Sequence, residues 1–505
     1  MTSFKPYSLK LRTIISFLIL PAVCASQATL ECDCERIGLD RAWADSSNII
    51  CYLVPVPRTK ADKSSGNFNL AVVMAPALKK STNDPMLYLH GGPGIATLEN
   101  IPKYLKSPAW DRIRQDRPLV FFDYRGTGAS EPELCPFMQD SIASYSGSLQ
   151  SAEEGQSRKI TLYRDCRIQL LSSGIDVSTF NSSQLASDAE TIRQKLKIGN
   201  WSVYGVSFGT TVGLNLLRSH GKYVSAMILD SPFPPNAPWV DFVRPFDTCF
   251  RFLEQKIASD PSTFSRFPDI RKDFRSAVNR LNEKPAGIKL PGSEVEFPFA
   301  GNDFAWTIWS AMLKPSAIPL VPIVMEEVAK GNDSLLVKWV MAFSNPNAFG
   351  KFSELQSKAI LCFEGKPKSG DDTKDALERN YPDFTAFNID FESELCDAWQ
   401  PVSAKKEAFE PVKSNVPVLI LSGEFDPVCP PIFGAITART LPNSTFITVP
   451  AASHAAIHED ECLREIAAGF LSNPKRKINV GCVLKRTEIK FLKENPEAAI
   501  SQLAN

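Results

Sequence analysis

The 505-residue chain, with 44% apolar and 22% charged side chains, has the make-up of a globular protein and is too long for one ordinary core. Lysine plus arginine equals aspartate plus glutamate at 56 each, so no net field draws the chain to nucleic acid or to an anionic membrane. The expected partner is therefore a small or extended substrate.

Lys5, Lys10 and Arg12 precede an apolar run, Ile14 to Val23, and Val23-Cys24-Ala25 offers small residues for cleavage. Residues 1–25 are therefore expected to be a signal peptide, which places the protein in a secreted or periplasmic location. The run is too short for a permanent span, and no later stretch is long and apolar enough for a stable one. Twelve cysteines fit disulfides in an oxidising compartment. Cys135 with Cys166, Cys362 with Cys396, and Cys462 with Cys482 each close a moderate local loop. An odd number of thiols remains once Cys24 is removed, and Cys429 is the candidate free one. No CxxC pair or Cys/His spacing suggests zinc, so neither a metal nor a cofactor is expected.

In chain order, Asn67–Ala75 and Met86–His90 read as strands, the second running into His90-Gly91-Gly92-Pro93-Gly94. Pro118–Asp123 is a short apolar run ended by Arg125-Gly126-Thr127-Gly128. Ser187–Leu196 has helical spacing. Trp201–Tyr204 is a strand followed at once by Gly205-Val206-Ser207-Phe208-Gly209 and a helical run, Thr210–Arg218. Val224–Leu229 then ends at Asp230. Strands alternating with helices at this spacing mean βαβ units and a mainly parallel sheet. From Pro232 the character changes: prolines break the pattern, and aromatic residues recur at helical spacing in Phe304–Leu313 and Ile323–Ala329. The sheet pattern resumes at Val416–Leu421 and Ser444–Val449. The expected organisation is α/β, with a core over 26–231 and 409–505 and a large, mostly helical cap over 232–408 inserted between core strands.

Ser207 is the candidate nucleophile. In GxSxG between a strand and a helix, the glycines relieve crowding at a sharp turn that lifts the serine above the sheet. The next helix aims its N-terminal N–H groups at a developing anion. A serine hydroxyl is a weak nucleophile and needs a base. Of the four histidines, His90 belongs to the glycine loop and His220 lies at the far end of the helix after Ser207. His454, just past the last strand, is favoured over His458, which reads as a surface histidine. Asp426, in Gly423-Glu424-Phe425-Asp426-Pro427, is the expected acid that orients the base, with Glu424 the competitor. Serine, acid, histidine is the chain order of the α/β-hydrolase fold. The Phe208 N–H and the Gly91-Gly92 segment are the expected oxyanion hole.

His90-Gly91-Gly92-Pro93-Gly94, Asp123-Tyr124-Arg125-Gly126-Thr127-Gly128, Gly205-Val206-Ser207-Phe208-Gly209-Thr210 and Gly423-Glu424-Phe425-Asp426-Pro427-Val428 together resemble the prolyl aminopeptidase and tripeptidyl aminopeptidase family. Cys396-Asp397-Ala398-Trp399 and the late Cys462…Cys482 pair are similar to its secreted tripeptidyl-aminopeptidase branch. The resemblance implies a serine exopeptidase acting on peptides with a free N-terminus, the cap closing over the sheet. Cys429 stands where the family usually has a hydroxyl residue, and Ala452-Ser453 where glycine is common before the histidine. An exopeptidase needs an acidic group for the substrate ammonium, and Glu326, Glu327, Glu392 and Glu394 are the candidates in the cap. Asp123 and Arg125 are expected to be structural, pinning the turn near the glycine loop. An ester hydrolase with the same triad, or an inactive hydrolase used as a binding module, is the alternative.

Overall fold

The computed structural model describes residues 30–138, 152–238, 241–289, 296–343, 351–365, 374–387, 393–458, 460–486 and 489–503. The expected signal peptide lies outside them. Nine strands form one sheet: β1 (Glu31–Cys32), β2 (Ile50–Thr59), β3 (Asp62–Ala75), β4 (Met86–Leu89), β5 (Leu119–Phe122), β6 (Trp201–Val206), β7 (Val224–Asp230), β10 (Val418–Gly423) and β11 (Ser444–Val449). Their order is β1-β2-β3-β5-β4-β6-β7-β10-β11. The first four neighbours pair antiparallel, and from β5 to β11 the sheet is parallel.

The parallel strands read as unbroken apolar runs because both of their faces are covered. Leu87 and Leu89 of β4 point into one core, whereas Met86 and Tyr88 point into the other. The β2 strand, with Pro55 and Pro57, was not expected from the pattern. Past Tyr52 its outer side is not paired by β1, so the missing proline donors fall on an edge.

The helices that matter below are α1 (Ser182–Lys195), α2 (Phe208–His220), α3 (Val243–Ser259), α4 (Ile270–Glu283), α5 (Gly301–Met312), α6 (Val321–Ala329), α7 (Asp333–Phe343) and α8 (Glu354–Glu364). In α4 the buried positions Ile270, Phe274, Ala277, Val278 and Leu281 form one apolar stripe. Helices α3 to α7 share a core of their own, separate from the two sheet cores. A small antiparallel pair, β8 (Ala286–Lys289) with β9 (Glu296–Phe299), interrupts them.

The segment between β7 and β10 divides in two. Leu355, Ala359 and Ile360 of α8 and Leu395 and Trp399 beyond it join a sheet core instead of the helical one. Residues 489–503, expected to belong with the C-terminal part of the sheet, instead return to the helical layer. Phe491 and Ile500 lie in the helical core, and Leu492 N–H donates to Pro319 O at 3.0 Å.

Four disulfides are present. Cys135–Cys166, Cys362–Cys396 and Cys462–Cys482 are the expected pairs, and Cys34–Cys51 is a fourth. Such cross-links fit an oxidising compartment. Among the described residues no helix is long and apolar enough to cross a membrane.

Candidate active site

Parallel pairing brings the ends of three strands into line. Val206 is opposite Asp230, and Asp230 is opposite Leu421. Beyond those ends, Ser207 N–H donates to Asp230 O at 3.0 Å and Ser231 N–H to Leu421 O at 2.9 Å. The carboxyl ends of parallel strands are where open α/β sheets hold their ligands.

Ser207 sits in this line with φ 54° and ψ −126°, a left-handed backbone rare for a residue with a side chain. The turn is that sharp because α2 starts immediately and packs on β4. A Cβ at Gly209 would lie 2.1 Å from Leu89 O, so only glycine lets the helix approach. Gly91, after β4, comes just as near the serine: a Cβ there would be 3.0 Å from Ser207 Cβ and 3.6 Å from its Oγ. The glycine loop and the serine turn are therefore in contact. Phe208 is the first residue of α2, where backbone N–H groups have no partner within the helix.

Asp426 follows β10 and is fully buried. Its Oδ1 accepts from Val428 N–H at 2.9 Å and Cys429 N–H at 2.8 Å, and its Oδ2 meets His454 Nδ1 at 2.8 Å. Burial pushes the Asp426 pKa up, but the His454 charge and these hydrogen bonds outweigh it and hold the carboxyl below its ordinary value. For His454 burial works downward, and the Asp426 charge and hydrogen bond, with Asp230 behind them, raise the imidazole above its ordinary value. The other histidines go the other way. Burial lowers His90 and His458 to about 4 and also lowers His220. Glu424, the competing acid, instead accepts from Ala451 N–H at 3.0 Å and pairs with Lys256 at 3.3 Å.

The thiol of Cys429 is free and buried, and the Ser207 hydroxyl is among the groups that bear on its pKa, lowering it. The Cys429 sulfur, a carboxylate oxygen of Asp426 and a ring nitrogen of His454 lie within 4.8 Å of one another, so the thiol stands beside the His–Asp pair. Among the described residues the serine makes no direct hydrogen bond to His454. Burial, with Asp426 next, raises the Cys429 thiol well above its ordinary value, so it is held neutral.

The loop carrying His454 is pinned on both sides. Ser453 Oγ donates to Met312 O, at the end of α5, and lies 3.2 Å from Phe425 O. Ala455 N–H donates to Ser231 Oγ at 2.9 Å. Ala456 and Ile457 N–H donate to Asp230 at 3.1 and 3.2 Å, and Tyr204 OH donates to the same carboxylate at 2.9 Å. Asp230, Ser231 and Ser453 were not singled out in the sequence as supports. The one available signal was the acidic residue ending an apolar strand beside Ser231.

His458 is no surface histidine: its ring packs edge-on against Trp110 at 5.4 Å and is only partly exposed. Asp123 is buried and accepts from Thr97, Leu98 and Ala129 N–H at 2.6, 2.9 and 2.9 Å, which ties the chain after the glycine loop to its own turn. Arg125 makes a buried bidentate pair with Asp188 of α1, at 2.8 and 2.6 Å.

Two of the acidic candidates for a substrate ammonium are already paired with basic side chains. Glu326 is engaged by Arg266 at 2.5 Å and Lys330 at 2.8 Å, and Glu327 by Lys330 at 3.3 Å, so both are neutralised within the helical layer. Glu394 is exposed, and Glu392 lies outside the described residues.

The strand order and the nucleophile-type turn define an α/β hydrolase. The family model for the alpha/beta hydrolase fold matches residues 84–461, and the chain belongs to that family. A proline iminopeptidase from Arabidopsis thaliana is 25% identical over 293 residues, covering 56% of this chain and 57% of that protein, so the chain spans little more than half of this relative. A tripeptidyl aminopeptidase from Streptomyces lividans is 22% identical over 423 residues, covering 78% and 76%. Among solved structures, a proline iminopeptidase from Mycobacterium smegmatis is 14% identical with a TM-score of 0.38, covering 83% of this chain and 98% of its own.

Proposed function

We propose that the protein is an extracytoplasmic serine exopeptidase that cleaves peptide bonds near a free N-terminus through an acyl-enzyme. Ser207 is the nucleophile, His454 the general base and Asp426 the acid that fixes its tautomer. The Phe208 N–H and the Gly91-Gly92 segment are the oxyanion donors. The observation that carries this reading is the 2.8 Å bond from His454 Nδ1 to buried Asp426, beside a serine held in a strained strand-to-helix turn.

With Nδ1 committed to Asp426, Nε2 is left to take the Ser207 proton as Oγ attacks the substrate carbonyl. The mechanism requires the serine side chain to turn its oxygen to the imidazole. Catalytic hydrogen bonds of this kind often tighten only when substrate is bound. The imidazolium, stabilised by Asp426, then protonates the leaving amine. Water, deprotonated by the same nitrogen, releases the acyl group. The restriction to short N-terminal acyl groups rests on the helical layer and on the aminopeptidase relatives.

The test is a panel of aminoacyl, dipeptidyl and tripeptidyl chromogenic substrates, each free and N-acetylated, with Ser207→Ala as control. Free-amine substrates are expected to turn over and acetylated ones hardly at all, with Ser207→Ala silent. Equal rates on both sets remove the exopeptidase reading. Short-chain ester hydrolysis without any peptidase activity leaves an ester hydrolase. Failure of a fluorophosphonate to label Ser207 removes the serine mechanism.

A further inference from the structure

Three cysteines meet at the N-terminal edge of the sheet, far from the serine in the chain. Cys34 and Cys51 form a disulfide with Cα atoms 5.3 Å apart, and Cys32 is a free thiol. The antiparallel ladder of β1 with β2 sets Cys32 directly opposite Cys51. Residues opposite one another in such a ladder have side chains on the same face and Cα atoms about 4.5 or 5.5 Å apart. Both spacings fall inside the window of about 4.4–6.8 Å that a disulfide requires. Cys51 is thus within bonding geometry of two cysteines but is joined to one. All three line one open surface pocket of about 480 Å³, together with Arg41 and Asp45.

We propose that Cys32, Cys34 and Cys51 form a thiol–disulfide exchange site in which Cys51 pairs alternately with Cys34 and with Cys32. Cys32 gives its proton to solvent, and its thiolate attacks Cys51 Sγ. The Cys32–Cys51 bond forms as the Cys34–Cys51 bond breaks. Cys34 leaves as a thiolate and takes up a proton. One disulfide and one thiol stand on each side, so neither oxidant nor reductant is consumed.

The two states differ mechanically. Cys34–Cys51 ties the short turn Cys34–Ile37 to β2, whereas Cys32–Cys51 ties the two-residue strand β1 itself and releases the turn. In either state the remaining thiol in the pocket can attack a small disulfide, taking one half in mixed disulfide while the other half leaves as a thiol. Burial of Cys32, with the charged groups around it, sets the rate. Burial raises the thiol pKa, Arg36 lowers it, and Asp33 and Glu31 raise it again, so the net shift is upward and exchange is slow until the pH rises.

The test holds the full chain at about pH 6 and at about pH 8.5, on either side of neutral where an ordinary thiol is mainly protonated and where it is about half ionised. Thiols are then trapped with N-ethylmaleimide under acid quench, and cleavage before Asp33 separates Cys32 from Cys34 for mass mapping. The lower pH should give Cys34–Cys51 with alkylated Cys32. The higher pH should add Cys32–Cys51 with alkylated Cys34, and Cys32→Ser should abolish that species. Independently, Cys34→Ser should oxidise to Cys32–Cys51 in a glutathione buffer. The proposal is overturned if wild-type protein shows Cys34–Cys51 alone at both pH values, or if the folded Cys34→Ser protein keeps Cys32 and Cys51 as free thiols.

Discussion

The sheet and the helical layer both bury many aromatic rings, but they choose different ones. Under the strand ends the rings carry polar tips: Tyr88 stacks on Tyr204 at 5.6 Å, Trp110 meets Tyr204 edge-on at 4.9 Å, and His90 Nε2 bonds Tyr104 OH at 2.7 Å. Through Tyr204 this cluster reaches Asp230, which holds the backbone next to His454. In the helical layer Phe246, Phe250, Phe274 and Phe384, rings without hydroxyls, pack ring to ring at 5.2 to 6.3 Å, with the Arg271 guanidinium over Phe250 and Phe384 at 5.4 and 5.3 Å. Buried rings with hydroxyls are needed where a loop must be aimed, because each tip can satisfy a buried polar group. Phenylalanine suffices where only volume must be filled.

If that contrast is right, damage near the strand ends should appear in rates and damage in the layer should appear in stability. Asp426→Asn should lower kcat by about 10⁴-fold with little change in melting temperature, since the isostere keeps the packing but favours the wrong histidine tautomer. On the proposed mechanism, the acid limb of the wild-type pH–rate profile should belong to His454. Asp426 raises that pKa, so activity should be lost, as pH falls, at a value above the ordinary histidine range of about 6.5. Steady-state assays across pH decide both points. A limb well below that range would mean that the imidazole is not coupled to Asp426.

Phe274→Ala empties part of the helical core and should cost about 3–5 kcal/mol by denaturant unfolding. Turnover per folded molecule should change little by comparison. Asp230→Ala takes away the acceptor of Tyr204, Ala456 and Ile457 and lets the histidine loop drift. About a 10²-fold drop in kcat is expected, of the order seen when a reacting group is misplaced by about 1 Å. A large fall in melting temperature without a kcat effect would make Asp230 merely structural. Arg266→Ala breaks the ion pair with Glu326 on the outside of the layer and should cost less than about 1 kcal/mol. Discrimination between free and acetylated peptides should not move. If it does move, Glu326 returns as an ammonium ligand.

How much could be read in advance follows the range of the interactions. Ser207 was legible because the steric demand of its turn falls on Gly205 and Gly209, two positions away on each side. The parallel strands were legible because burial on both faces makes them continuously apolar. β2 was not, since its prolines are tolerated only by virtue of the unpaired edge beside it. Helices α3 and α4 were expected only as part of a mostly helical cap, because charged residues crowd the spaces between the apolar positions of their stripes. The separation of α8 from the helical core depends on which face of the fold it lands upon, and nothing local specifies that.

The sequence by itself determined the class of the molecule, the nucleophile-type turn, the chain order of serine, acid and histidine, and three of the four disulfides. The turn and the disulfides are written in neighbouring residues or local loops, and the order of the three side chains is read directly along the chain. Only the tertiary structure decided which histidine is raised and which three are lowered, that Glu326 and Glu327 are neutralised, that Cys429 stands beside the His454–Asp426 pair, and that Cys32 faces Cys51. The physical reason is common to all four: a pKa, an ion pair or a thiol contact depends on the burial and charge that distant segments bring together.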